Sequence, residues 1–128
     1  MSGFVVSEEC WRRLDAVFAA AAQPLRECNP ALWFQTGRRS SDRVPLDAWA
    51  EFGRVRDPAR TEDIVVFVAV VRDGGAYRAT VDISTGEGVM LADGPARTLR
   101  VGLDVLSFVT DVESFLADRA GLLRAALC

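Results

Sequence analysis

Histidine and lysine are both missing from this sequence: none of its 128 residues is His, and all 15 of its cations are arginine. Each absence excludes a chemistry. Without histidine there is no Ser-His-Asp or Cys-His nucleophile and no H-E-x-x-H zinc site. Without lysine there is no P-loop, whose lysine reaches the nucleotide phosphates, and no Schiff-base amine. Catalysis, if any, would rest on Asp, Glu, Tyr, Cys, Ser or Thr, with arginine as an electrostatic clamp. Arginine at every cationic position reads first as the coding bias of a GC-rich genome.

Cysteine is scarce as well. Cys10, Cys28 and Cys128 are three in number and form no C-x-x-C pair. The start, "MSGFVVSEEC", has no basic residues, and its apolar run stops at Ser7, so no secretory signal is expected. An odd cysteine count without a signal predicts reduced thiols in a cytoplasmic protein, with Cys10 and Cys28 used for packing. No apolar run approaches the roughly 20 residues that span a bilayer, so no membrane partner is expected. A net charge of −3 and a pI near 4.9 argue against nucleic acid, whose binders carry a basic footprint. Half the residues are apolar and 26% are charged, the composition of one soluble globular domain over residues 1–128.

The residues that are present predict an α+β fold. Ser7 is suited to an N-cap, and Glu8 and Glu9 favour a first helical turn. Val6 and Trp11 have the spacing of a hydrophobic staple. Trp11, Leu14, Val17, Phe18 and Ala21 make an apolar stripe, and Pro24 predicts the helix end or a bend. "ALWFQTG" reads as a short strand with Trp33 and Phe34 on opposite faces, and "RRSSDR" as a loop. "PLDAWAEFG" starts with a proline suited to a first turn and ends with a glycine suited to a C-cap. As a helix it would set Leu46, Trp49 and Ala50 on one face; a strand through "WAEFGRV" competes, and periodicity does not decide between them in so short a segment.

"IVVFVAVV", residues 64–71, is a continuous β-branched run that predicts an interior strand covered on both faces. Trp33, Trp49 and Phe52 of the middle segment, or a partner chain, would cover its second face. On that reading a charge at Phe67 or Val68 abolishes soluble expression. Asp73-Gly74-Gly75 predicts a tight hairpin. The return strand then alternates, with Tyr77, Ala79, Val81 and Ile83 on one side and Arg78, Thr80 and Asp82 on the other. "STGEG" and "ADGP" read as turns, and "ARTLRVGL" as a further strand. "TDVE", Thr110 to Glu113, has the form of a capping box that opens a last helix; Val105, Phe108 and Val109 allow that helix to reach back to Asp104. The sum is an antiparallel β-meander of about four to five strands packed by an N-terminal and a C-terminal helix.

Three constellations have chemical potential. Arg38, Arg39 and Arg43 open an arginine-rich stretch that runs to Arg60 and is interleaved with Trp33 and Trp49. Tryptophan and arginine are the residue types that most often carry interface energy, so these five residues, Trp33, Trp49, Arg38, Arg39 and Arg43, are the expected partner-binding set. Asp42, Asp47, Glu51 and Asp57 in the same window speak for local ion pairs instead. Tyr77, Asp82 and Glu87 are the expected acid and base of an alternative pocket. The glycines beside Asp73, Glu87 and Asp93 explain those positions equally well as turns.

In outline, a leading helix, an antiparallel meander and a closing helix are similar to some immunity proteins of polymorphic toxin systems. That resemblance implies a non-catalytic cytosolic bacterial protein that binds a protein partner, a toxin among the candidates, without cofactor or metal; a homodimer is compatible with it. The alternative is a cone-shaped α+β protein resembling cyclase or isomerase folds, which would bind a small molecule at Tyr77, Asp82 and Glu87.

Overall fold

The computed structural model describes residues 8–39, 46–53 and 63–128. Along the chain run α1 (Glu8–Cys28), β1 (Trp33–Arg39), β2 (Leu46–Gly53), β3 (Ile64–Asp73), β4 (Ala76–Thr85), β5 (Met90–Leu99), α2 (Gly102–Asp118) and α3 (Ala120–Leu127). The five strands form one antiparallel sheet in sequence order, β1-β2-β3-β4-β5. Residues 1–7, where the Ser7 cap and Val6 staple were expected, and residues 40–45, which include Arg43, lie outside the described residues.

Period-2 alternation builds the core. Pairing sets Leu46, Val70 and Ala79 in one row, Ala48, Val68 and Val81 in the next, and Ala50, Val66 and Ile83 in a third. Apart from the half-buried Leu46, the side chains of these rows are buried. Over this face lie the helices, α1 against β1 and β2, and α2 against β5. α1 buries Trp11, Leu14, Val17, Phe18, Ala22 and Leu25, and α2 buries Val105, Phe108, Val112, Phe115 and Leu116. Each fully buried side chain of this size stabilises the fold by about 1.5–3 kcal/mol. Two arginines rivet the layers. Arg38 on β1 reaches Glu8 and, at 3.0 Å, Asp15 on α1; Arg97 on β5 holds Asp111 on α2 at 2.7 Å. The β3–β4 hairpin turns where expected, with Gly74 at φ +62°, a conformation that glycine adopts without Cβ strain.

Several expectations are corrected. α1 does not end at Pro24 but continues to Cys28. Proline only removes the donor for the Ala20 carbonyl, while buried Leu25 and the bond from the Asn29 amide to the Leu25 carbonyl hold the last turn. Residues 46–53, which spacing leaves open between helix and strand, are strand: even positions Leu46, Ala48, Ala50 and Phe52 alternate inward and the segment pairs on both sides. Arg38 and Arg39 belong to β1, not to a loop. "ADGP" is not a turn but the middle of β5. β5 is an edge strand, where a proline without N–H is tolerated. The ladder absorbs the irregularity as register shifts at Thr80/Asp82 and Ile83/Ser84. The middle segment does not cover the second face of β3; it joins β3 edge to edge as β1 and β2.

The expected closing helix is two helices: α2 starts at Gly102, not at Thr110, and the helix breaks at Arg119 before α3. Asp104 supplies the cap: its carboxylate accepts hydrogen bonds from the Arg100 and Val101 amides at 2.7 and 3.1 Å. Both bonds favour the charged carboxylate and hold its pKa below the ordinary aspartate value. Thr110 is mid-helix and donates its hydroxyl to the Leu106 carbonyl.

The cysteine reading is also corrected. Cys28, at the end of α1, and Cys128, just past α3, form a disulfide with Cα atoms 6.0 Å apart. The Asn29 side chain donates to the Leu127 carbonyl at 2.9 Å, which brings the two helix ends together. No sequence spacing signals a bridge between residues 100 apart.

Three substitutions test these contacts. Thr110→Ala is neutral or slightly stabilising, because alanine is the better helix former. Asp104→Ala lowers the melting temperature by a few degrees at neutral pH. The depressed Asp104 pKa means its contribution is present above the ordinary aspartate range and fades as pH falls through the folded value, so the two melting curves converge in acid. The third is Cys128→Ser, which lowers stability by about 2–4 kcal/mol in chemical denaturation through the lost cross-link. Thiol titration of the unreduced, denatured protein finds Cys10 alone.

Candidate functional site

Among the described residues, helices cover one face of the sheet. On the other face, the odd positions of β1, β2 and β3 and the even positions of β4 form rows that run straight across the strands. The central row is Gly37, Trp49, Phe67, Asp82 and Asp93. One flanking row holds Arg39, Asp47, Ala69, Thr80 and Ala96, and the other holds Gln35, Glu51, Val65 and Ser84. Trp49, Phe67, Val65 and Ala69 are half-buried, and Val71 at the end of the same strand face is 40% exposed. Among the described residues no helix lies over these rows.

The two tryptophans are set by reciprocal glycines. A Cβ on Gly53 would stand 2.0 Å from the Trp33 indole nitrogen, and one on Gly37 would stand 2.3 Å from the Trp49 ring. Trp33 on β1 therefore lies against Gly53 on β2, while Trp49 on β2 lies against Gly37 on β1. Each glycine makes room for an aromatic of the neighbouring strand, a device that closes the gap glycine leaves in a sheet. Trp33 and Trp49 thus spread two indole rings over the β1–β2 end of the face.

Charge is distributed unevenly beside them. Asp47 is buried, 3% exposed, and its carboxylate meets Arg39 at 2.6 Å. Gln35 donates to Glu51. At the β4–β5 end, Asp82 and Asp93 are direct cross-strand partners, and like charges in that position repel. Partial burial, and then the Asp93 charge, raise the Asp82 pKa above its ordinary value. The face therefore runs from aromatic and arginine at one end to uncompensated carboxylate at the other.

Of the expected partner-binding residues, Trp33, Trp49 and Arg39 share this face. Arg38 does not: its register partner Ala48 is on the helix side, and its guanidinium is committed to α1. The alternative trio does not converge. Tyr77 pairs with buried Leu99 on the helix face near the β3–β4 hairpin, Asp82 is on the open face, and Glu87 sits in the exposed turn after β4. Phe67 and Asp93 were missed as members of the surface. Their signal was available: Phe67 is the bulky odd-numbered residue of a run whose even positions are all aliphatic or small. Among the described residues no group of three or more His, Cys, Asp or Glu is placed to hold a metal, and no helix is long and apolar enough to cross a membrane. Comparison with protein-family models, with curated proteins and with solved structures finds no match.

The Asp82–Asp93 repulsion is measurable. A raised carboxyl pKa means that the protonated form is favoured by the fold, so this stability is present in acid and lost as pH rises through the folded value. Asp82→Asn is expected to raise the melting temperature at pH 7 and to leave it unchanged below the ordinary aspartate range. The effect is modest because the carboxyl remains partly solvated.

Proposed function

We propose that this chain is a non-catalytic binding protein that receives a protein partner on the open sheet face. The observation that carries the reading is the row Trp49–Phe67–Asp82–Asp93: half-buried aromatics bordered by two carboxylates that repel each other. A partner that sets a Lys or Arg between Asp82 and Asp93, and an apolar side chain on Phe67 and Trp49, relieves the repulsion and dries the aromatics in one contact. The partner surface is therefore basic with an apolar centre. Flat rows on a hydrogen-bonded sheet suit a protein surface better than a small molecule, which needs a concavity that encloses most of it.

The missing histidine and lysine support the non-catalytic reading, as does the separation of Tyr77, Asp82 and Glu87. A toxin domain with a basic surface is the partner class that the outline resemblance to immunity proteins favours. Cytoplasmic location is part of that proposal. It stands against the Cys28–Cys128 disulfide, a bond that the cytosol normally keeps reduced, and thiol titration in freshly lysed cells decides between them.

The test is retention of a basic protein from extract of the native host, with three variants. Asp93 is exposed and pairs with Asp82 across the strands, so Asp93→Arg is expected to raise the melting temperature slightly, by turning a repulsion into an attraction, and to abolish retention. Phe67→Asp, on the half-buried open face, remains soluble and loses retention. Val68→Asp, whose site is fully buried among the helices, does not accumulate in soluble form. The sequence alone expected both aspartates to fail, and the open face separates them. A metabolite recovered from the purified protein, and lost with Asp82→Asn or Tyr77→Phe, overturns the proposal.

A further inference from the structure

The helix layer has an apolar trough of its own. α1 and α2 run side by side in the same direction: Arg13 and Val17 of α1 face Leu106 and Thr110 of α2, while Pro24 lies level with Ala117 and Ala120. Two adjoining cavities of about 300 and 370 Å³ follow the seam and share Val17, Ala20 and Glu113. α3 closes one end with Ala120, Leu123 and Arg124. From Arg13 to Pro24 the trough runs about 16 Å, three helical turns at 1.5 Å per residue.

We infer that this trough docks an amphipathic helical segment of a partner protein, separately from the sheet face. Four features converge on a helix. Alanines recur on both walls (Ala16 and Ala20 on α1, Ala117 on α2, with Ala120 on α3), and small side chains there let a third backbone approach toward the 8–10 Å of packed helices. Leu103, Leu106, Thr110, Glu113 and Ala117 recur at the three-four spacing of a coiled-coil seam. Leu103 and Leu106 are 70% and 41% exposed, so the apolar stripe is presented to solvent beyond the trough. Arg13, Glu113 and Arg124 alternate in sign along the seam, and Glu113 and Arg124 form no ion pair among the described residues.

The occupant's chemistry follows: aliphatic residues at i, i+3 or i+4 and i+7, with a carboxylate near each end and a cation between them. A fatty-acyl chain has no use for Glu113 in the middle of its path. A second copy is disfavoured by size. The exposed stripe offers about 400 Å² from the length and width of a helix pair, half of the ~800 Å² per partner of a stable interface. A short helix that binds and releases fits that area.

The experiment uses the full chain and two synthetic helical peptides of about 16 residues, long enough to span the seam. They share one leucine stripe; one carries Glu-Lys-Glu along its flank and the other Lys-Glu-Lys. Fluorescence anisotropy is expected to show the Glu-Lys-Glu peptide binding about tenfold tighter at low salt, the sum of three partly exposed pairs. Arg124→Glu narrows or inverts the preference. Ala20→Trp, at an exposed helical position, fills the trough and abolishes binding with little change in melting temperature. Phe67→Asp leaves peptide binding intact, which separates this site from the sheet face. Equal binding of the two peptides, binding of neither, or binding unaffected by Ala20→Trp overturns the inference. So does oleate that displaces the peptide from the wild type, or dimerisation in sedimentation that Ala20→Trp abolishes.

Discussion

Everything in this molecule depends on how β3 is sandwiched. Its even positions, Ile64, Val66, Val68 and Val70, are at most 5% exposed and hold the helix layer to the sheet. Removing any one of these side chains leaves a cavity that the close-packed rows on either side cannot fill, since Val66 and Val68 lie between β2 and β4 partners in full register. The odd positions of the same strand are equally apolar, but among the described residues no helix covers them. One strand therefore supplies both the core of the fold and the centre of its uncovered face. That alternation explains why the two faces differ in tolerance: Val65, Phe67 and Ala69 are only half-buried, whereas a charge among the even positions has no solvent to reach.

The two strands added to one side of β3 are held by side chains as much as by backbone. β1 makes its ladder only with β2, and an edge strand with two-sided exposure has a weakly specified register. The Trp33–Gly53 and Trp49–Gly37 pairs remove that freedom, because a one-residue slip would set an indole against a side chain with a Cβ. Arg38 fixes the same strand from below through Glu8 and Asp15. At the opposite edge, Pro95 and the bulged pairing of β5 blunt the strand against further pairing, and Arg97 ties it to α2. The β5 edge is thus blunted against accidental growth, while β1 is held in register.

The sequence made the frame legible where periodicity was long. The α1 stripe from Trp11, the β3–β4 hairpin and the apolar closing helix all follow from spacing alone. It failed where a local signal was real but was overruled by long-range contacts. Pro24 does remove a hydrogen bond, yet burial of Leu25 carries the helix past it. Pro45 and Gly53 do suit helix ends, yet residues 46–53 gain two ladders by being extended, and Gly53 is needed beneath Trp33. Thr110 and Glu113 do form a box pattern, yet the strand ends at Leu99 and Asp104 caps the chain first. Of the candidate site, Trp33, Trp49 and Arg39 were readable by type. Their union with Phe67, Asp82 and Asp93 was not, because it depends on the register of four strand pairs, which no single segment encodes.

The open face and the helix seam lie on opposite sides of one sheet, and the core rows between them are rigid. Changes at distant positions that share no partner usually add, so substitutions on the two surfaces are expected to act independently. Any linkage between them has to pass through an element with two arrangements. The element best placed for that role is α3. It contributes a wall of the helix seam, and the Cys28–Cys128 disulfide and the Asn29–Leu127 hydrogen bond pin its end to α1. It touches neither Phe67 nor the Asp82–Asp93 pair. A change in α3 therefore acts on the seam alone, and the sheet face keeps its geometry whether that latch is open or closed.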